Sequence, residues 1–267
     1  MTFPWPLLRL VTPIRTFGYP LRLKMSELKS YRVWDAPTRW FHWINAISVL
    51  ALVVLGYLIL NGRALELPRT GSLKLKMIHT WVGYVFAVSL LVRIVWAFLG
   101  NRYARWRAVL PGGRGYLSAL GSYVRSLVSR HPEQYLGHNP LGRLSMTTML
   151  VLISILAVSG LVLAGTDLFY PPIGHWIAQW VAAPGIDPGT LVANAPDMYD
   201  KAAFNSSRAF RKPFVVSHVY TYYALLVVVA LHLSGVVIAE IREGGNLISA
   251  TFSGMKILSR RPVDEQQ

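Results

Sequence analysis

The chain has 267 residues, of which 53% are hydrophobic and only 15% are charged. Soluble domains usually carry about 25% charged residues, so this composition excludes an ordinary water-facing surface. Cysteine is absent, which excludes disulfides, iron–sulfur clusters and covalently attached c-type haem. Lysine and arginine outnumber aspartate and glutamate by 27 to 12. In so apolar a chain this excess indicates membrane topology rather than binding of nucleic acid.

Residues 1–40 are a predicted N-terminal arm. The stretch from Met1 to Tyr19 is apolar and flanked by arginine, but four prolines interrupt residues 1–20 and no small-residue cleavage site follows. We therefore do not expect a signal peptide. Two interpretations stay open for this region, a short interfacial segment and a translation start at Met25.

Four windows of about 20 residues are long and apolar enough to cross a bilayer. The second contains a single charge, Arg93, and the others contain none. The predicted spans are 41–60, 78–99, 144–164 and 214–239. They predict an all-α integral membrane protein, a bundle of four transmembrane helices over residues 41–239, followed by a tail at 240–267.

The distribution of basic residues predicts the orientation. The arm, the second loop and the tail together carry 18 lysines and arginines, whereas the first and third loops carry eight. Both termini are therefore expected to be cytoplasmic, in the inner membrane of a bacterium. The loop 165–213 is then extracytoplasmic, and its segment IGHWIAQW predicts an interfacial helix with Trp176 and Trp180 at headgroup level.

Four of the seven histidines lie within or at the edge of the spans. A hydrogen bond to a neighbouring helix could account for any one of them, but the set favours a functional site. On the fourth span, His218 and His232 are 14 residues apart, which places them within about 40° of the same helix face and about 21 Å apart along the axis. This spacing suits the ligands of two haems stacked across the membrane.

The predicted directions of the spans pair the histidines by depth. His79 and His218 fall toward the outer surface, and His42 and His232 fall toward the cytoplasm. Each pair would supply both axial ligands of one haem. Because bis-histidine ligation leaves no open position on the iron, it favours electron transfer over oxygen binding.

Four other residues fit this arrangement by their spacing. Arg93 follows His79 by 14 residues, at the depth of the inner haem, where a haem propionate would supply its anion; an interfacial topology charge is the alternative. Small residues also recur near the histidines, where glycine permits close approach to a flat ring but is equally usual at helix contacts. These are Gly56, Gly83 and Gly235.

The remaining three histidines are not expected to bind haem. His131 and His138 lie beside prolines in the arginine-rich second loop, where surface roles are expected, and His175 lies in the predicted interfacial helix. Metalloprotease, hydrolase, phosphate-loop and dinucleotide motifs are absent from the sequence, and the spans contain no carboxylate suited to an ion path.

Several stretches together resemble a known family over about residues 31–256. They are YRVWDAPTRWFHWINA, HTWVGYVFAVSLLVRIVWAFLGNRYAR, YLGHNPLGRLSM, HVYTYYALLVVVALH and AEIREGGNLISATFSG. The resemblance is to the cytochrome b subunits of periplasmic uptake [NiFe] hydrogenases, within the prokaryotic b561-like group. It implies two non-covalent b-type haems whose axial ligands are His42, His79, His218 and His232.

The resemblance also implies a quinone-linked electron-transfer subunit rather than a complete enzyme. Electrons from a periplasmic enzyme would enter the outer haem, cross to the inner haem and reduce quinone near the cytoplasmic side. The quinone pocket would lie around Arg39, His42 and His232, which makes Arg39 and Arg93 candidate contacts for a haem propionate or the quinone. The implied partners are the hydrogenase small subunit, quinone and lipid, with a homo-oligomer as an option within a larger complex.

Alternatives remain for the partner and for the function class. The loop 165–213 is longer than expected for a hydrogenase subunit, so a c-type cytochrome or a molybdenum oxidoreductase is an alternative partner. A histidine-based proton relay or transporter without haem is the main rival, and it is disfavoured because membrane carboxylates and repeated halves are lacking. A structural anchor without a cofactor is the third hypothesis.

Overall fold

The computed structural model describes residues 28–130, 132–244 and 246–265. Residues 1–27, with Met1–Tyr19 and Met25, lie outside this range, as does His131. The described residues contain two strands, eight α-helices and two 3-10 helices. In chain order they are β1 (Lys29–Arg32), α1 (Ala36–Leu60), α2 (Arg69–Leu99), α3 (Trp106–Val109), α4 (Tyr116–Leu127), α5 (Pro140–Leu168), α6 (Gly174–Val181), the 3-10 helices Pro188–Thr190 and Pro196–Met198, α7 (Lys201–Glu243), α8 (Leu247–Ser253) and β2 (Met255–Leu258).

Four of these helices, α1, α2, α5 and α7, are long and apolar enough to cross a membrane, with mean hydropathy between 2.1 and 2.4. Large apolar side chains point outward from all four. Ile47, Val88, Val158 and Leu231 are between 62% and 66% exposed. Such a surface would be unfavourable in water but is suited to lipid. The prediction of a four-helix membrane bundle is confirmed.

Local capping sets where the long helices begin. The side chain of Asp35 accepts a hydrogen bond from the Thr38 amide at 3.0 Å at the start of α1. At the start of α5, the Asn139 side chain accepts from the Gly142 amide at 2.7 Å. A proline stands in the first turn of each helix, where its missing N–H leaves no helical hydrogen bond unmade. These caps fix the height of every residue that follows on α1 and α5.

Helix α7 is longer than the apolar span within it. It has 43 residues and continues through Pro213, so residues 201–213, which the sequence assigns to a loop, are helical. An aspartate on α5 fastens this extension to the bundle. Asp167 accepts from Lys76 of α2 at 3.0 Å and from Arg211 of α7 at 2.9 Å.

The two ends of the bundle carry different caps. At one end, β1 and β2 pair antiparallel and join the segment before α1 to the segment after α8. Val33, Leu136 and Leu258 are buried beneath this pair, and we call this end, with α3, α4 and α8, the sheet end. At the other end α6 packs on residues 182–200 around the buried Val181 and Tyr199. We call it the loop end.

Candidate functional site

His79 of α2 and His218 of α7 come together inside the bundle. Their ring centroids are 6.2 Å apart and their planes are inclined at 66°. A metal–imidazole bond of about 2.0 Å, plus roughly 1.1 Å from the nitrogen to the ring centre, separates two opposed rings by about 6.2 Å. The spacing therefore fits two imidazoles that bind opposite sides of one metal ion.

A serine on α5 determines the protonation of the His218 ring. Ser159 Oγ lies 2.9 Å from His218 Nδ1, and the same hydroxyl donates to the carbonyl of Ile155 at 2.6 Å. Because the hydroxyl has only one hydrogen, Nδ1 must carry the hydrogen of the bond between Ser159 and His218. The ring nitrogen Nε2 is then unprotonated, which is the form that binds a metal ion.

An apolar cavity opens beside these two histidines, between α1, α2, α5 and α7. The space between its lining side chains is about 680 Å³, part of it open to the outside. Its walls include Val53, Phe86 and Leu225 as well as both rings. An apolar slot that two imidazoles enter from the sides suits a large flat apolar cofactor.

Glycines line the approach to the same two rings. A Cβ on Gly56 would lie 3.7 Å from His79 Cε1, and one on Gly160 would lie 3.4 Å from His218 Cε1. A Cβ on Gly83, which also lines the cavity, would meet no described atom within 4 Å. Side chains larger than hydrogen would therefore crowd the rings at the first two positions and enter the cavity at the third.

His42 of α1 and His232 of α7 form the second pair. They are near enough to interact electrostatically, with His42 exposed on the bundle surface and His232 half-buried. Ser145 Oγ lies 3.4 Å from His232 Nδ1. This pair is nearer the sheet end, and its serine contact is longer than that of His218.

The two serines repeat the spacing of the two histidines that they contact. Ser145 and Ser159 are 14 residues apart on α5, as His218 and His232 are on α7. Sequence reasoning missed both serines. The signal was present, because two polar residues at the same interval on neighbouring apolar spans occupy the same two depths.

The two predicted arginines have different surroundings. Arg39 donates to the Phe252 carbonyl, and its buried Nε has no acceptor among the described residues. It therefore links α1 to α8. Arg93 interacts electrostatically with Asp35, but forms no hydrogen bond or ion pair with any part of the chain that the structure describes.

The surface role predicted for His138 is wrong. Its ring packs 4.9 Å from that of Trp34 and its Nδ1 is buried without a partner among the described residues. Burial lowers the pKa of His138 to about 3, and nearby Lys256 and Arg93 lower it further. The sequence gave no sign of this, because the shielding comes from β1 and β2, which pair only in the folded chain. His175, in contrast, is exposed beside Trp176.

Comparison with known proteins identifies the family. A family model described as prokaryotic cytochrome b561 matches residues 33–254. The chain belongs to this family. The prediction of a b561-like cytochrome is thereby confirmed, and the haem b that such a cytochrome implies is consistent with four histidines in apolar helices and with the absence of cysteine.

Relatives of this cytochrome b561 family member have been named in several bacteria. A probable Ni/Fe-hydrogenase B-type cytochrome subunit of Rhizobium leguminosarum bv. viciae is 29% identical over 254 residues, which is 89% of this chain and 93% of the relative. A protein of the same name from Azotobacter vinelandii is 33% identical over 59% of this chain and 69% of its own. The probable Ni/Fe-hydrogenase 1 B-type cytochrome subunit of Escherichia coli K12 is 31% identical over 54% and 64%.

Proposed function

We propose that the chain is a dihaem cytochrome b subunit that transfers electrons across the inner membrane between a periplasmic [NiFe] hydrogenase and the quinone pool. The observation that carries the proposal is the His79–His218 pair, whose ring separation and hydrogen bonding suit coordination of one iron. The pair lies in an apolar cavity inside a four-helix membrane bundle of the cytochrome b561 family. Such a chain is an electron-transfer subunit and not a complete enzyme.

In this proposal His79 and His218 hold one haem and His42 and His232 hold the second. A bound haem supplies a reversible one-electron couple whose potential the protein sets. Both axial positions are filled by imidazoles of the chain itself, so oxygen has no site on the iron. Ser159 keeps Nε2 of His218 unprotonated, and the apolar wall excludes water from the cofactor.

The orientation follows from charge. The sheet end belongs to the side with 18 basic residues and the loop end to the side with eight. We therefore propose a cytoplasmic sheet end and a periplasmic loop end. The His79–His218 pair is then the outer one and the His42–His232 pair the inner one.

The proposed redox partner docks at the loop end. The Rhizobium relative is named as a hydrogenase subunit and is aligned with 89% of this chain, which favours hydrogenase over a c-type cytochrome or a molybdenum oxidoreductase. The loop end presents α6 with exposed Trp176 and Trp180 on the side of the His79–His218 pair. Co-purification with hydrogenase subunits supports this choice, and co-purification with a c-type cytochrome alone overturns it.

Quinone is proposed to react near the second pair. His42 is exposed on the surface of the bundle, and Arg39 lies one turn before it on α1. A lipid-soluble quinone can approach this surface from the bilayer. Reduction of the haem by added quinol in proteoliposomes supports the assignment, and a haem that quinol cannot reduce contradicts it.

One spectrum separates this proposal from a proton relay or a structural anchor. The purified full-length protein is expected to give a b-type α-band in its reduced-minus-oxidised spectrum, with about two haems per chain by pyridine haemochrome assay. A protein without that band refutes the proposal. A single haem per chain refutes the dihaem arrangement.

A further inference from the structure

Two polar groups at the sheet end lack a partner. Arg93, on the membrane helix α2, forms no hydrogen bond or ion pair within the described residues. His138, just before α5, has a buried Nδ1 that is likewise without a partner in that part of the chain. The two groups are within electrostatic range of each other, and His138 is also within range of His232. They therefore lie together at the depth of the second histidine pair.

The other cations around His138 already have acceptors. Lys256 donates to the carbonyls of Tyr135 and Gly137, both at 3.1 Å. Arg143 donates to the carbonyl of Leu110 at 3.0 Å and to that of Arg107 at 3.1 Å. Arg93 and His138 are thus the two members of this positive group that still require an anion or acceptor.

Nearby carboxylates do not serve as that anion. Asp35, which interacts with Arg93 over a distance, accepts hydrogen bonds from the amides of Thr38 and Asn101 and from the indole of Trp96. Glu243 lies on the other side of Lys256 and is bound by Tyr123. Each carboxylate is engaged by other donors, so the positive group near His138 is left without a counter-charge.

The start of α5 adds to the positive potential. The helix has 29 residues and begins directly after Asn139, the neighbour of His138. The unpaired amides of a helix N-terminus favour a negative group. An arginine in a membrane helix and a shielded imidazole, both beside this terminus, define a pocket for an anionic oxygen rather than for a cation or an apolar group.

We propose that Arg93 and the Nδ1 of His138 bind a carboxylate of the haem that His42 and His232 hold. This inference rests on the proposed function and names a residue, His138, that the axial ligands do not include. The haem carries its own carboxylates to the depth of its ligands, so it delivers an anion where the protein supplies none. An anionic lipid headgroup offers the same chemistry, but the shielding of His138 Nδ1 by Trp34 favours the haem.

The contact sets the reduction potential of that haem. A carboxylate whose charge is held by Arg93 and His138 repels the extra electron of the reduced haem less than a free carboxylate does. Replacing His138 with leucine is therefore expected to shift the equilibrium toward the oxidised haem by threefold to tenfold, where tenfold is about 59 mV for a one-electron couple. His138→Asn, which keeps a donor near the position of Nδ1, is expected to retain most of the native potential.

Potentiometric titration of the full chain, followed optically, measures this shift. His175→Leu, the same substitution at the exposed histidine of the loop end, is the matched control and leaves both potentials unchanged. The shift in H138L must concern the haem that is lost in His232→Ala. Loss of that haem in H138L with retention in H138N also supports the proposal, whereas loss in both variants, or no shift in H138L, overturns it.

A second arm identifies the source of the carboxylate. The full chain is reconstituted with protohaem dimethyl ester, whose carboxylates are blocked. The proposal predicts that H138L and the unsubstituted chain then have the same potential. A shift that persists with the ester but disappears in vesicles of neutral phosphatidylcholine assigns the pocket to a lipid headgroup and contradicts the proposal. If the unsubstituted chain holds no haem between His42 and His232, the proposed function itself fails.

Discussion

The two histidine pairs lie in one bundle, but the protein organises them to different degrees. His79 and His218 have ring centroids 6.2 Å apart, and a 2.9 Å contact with Ser159 fixes the tautomer of His218. His42 is exposed on the bundle surface, and the serine contact to His232 is 3.4 Å. Packing of α2, α5 and α7 alone prepares the first pair, whereas the second depends more on α1 and on the sheet end.

This difference indicates how a four-helix bundle can hold two similar cofactors differently. At the first pair the ligands are already oriented, so less conformational freedom remains to be lost on binding. At the second pair one ligand lies on the surface, which costs order but leaves the site accessible from the bilayer. We expect tight binding at the first pair and exchange with a lipid-soluble partner at the second.

Filling the cavity is expected to have the largest effect. Gly83→Leu places a side chain where a Cβ meets no described atom within 4 Å, so the substitution enters the cavity without displacing protein atoms. The variant should fold yet hold only the haem of the second pair. Haem content per chain and the optical spectrum measure this outcome.

Gly121→Leu is the matched control for that variant. A Cβ on Gly121, in α4, also meets no described atom within 4 Å, but this glycine is remote from the cavity. It should retain both haems. A G83L protein that holds two haems with native spectra would show that the cavity beside His79 and His218 is not a haem site.

The serines should produce a smaller and graded effect. Ser159→Ala removes the group that orients His218, and loss of such a partner typically lowers metal affinity by about 10- to 100-fold. The reduction potential of that haem should rise, because its imidazole becomes a weaker electron donor. Ser145→Ala should change the other haem less, since its contact is longer. Haem release rates and potentiometric titration compare the two variants.

Ser159→Thr keeps the hydroxyl and should restore most of the native behaviour. Two results would contradict the proposed difference between the pairs. One is a larger effect of S145A than of S159A, and the other is an equal response of both haems to either substitution.

Much of the membrane core was predictable from the sequence because its signals are local. The hydropathy of each span predicted four helices, and a 14-residue interval on one helix predicted two histidines at two depths. The interval between Ser145 and Ser159 was equally readable. Recognising it as part of the site required knowing that α5 and α7 are neighbours.

The sheet end was not predictable because it depends on long-range pairing. Tyr31 pairs with Lys256 across almost the whole chain, and neither strand is more than four residues long. That pairing holds the segment of Trp34, which packs on His138. A histidine between an arginine-rich loop and a proline therefore reads as a surface residue until the chain is folded.

The smallest effect concerns the stability of the sheet end and its pH dependence. Burial lowers the pKa of Lys256 to about 8, from an ordinary value of 10.5. Because the unfolded chain binds this proton more tightly, Lys256 makes folding more favourable as pH rises from about 8 to 10.5. The gain is on the order of 2 kcal/mol.

Lys256→Met should lack this rise in the free energy of unfolding. Denaturation in detergent micelles at pH values on both sides of the transition compares the variant with the unsubstituted chain. Parallel pH dependences for the two proteins would mean that Lys256 is not desolvated, and that the sheet end is more open than described.

The most direct test of the account is a set of histidine variants examined by potentiometric titration. His79→Ala, His218→Ala and the double variant should each lose the same haem and keep the other with its native potential. His42→Ala and His232→Ala should lose the haem that remains in the first set. Loss of different haems from H79A and H218A, or of the same haem from H79A and H42A, would contradict the pairing.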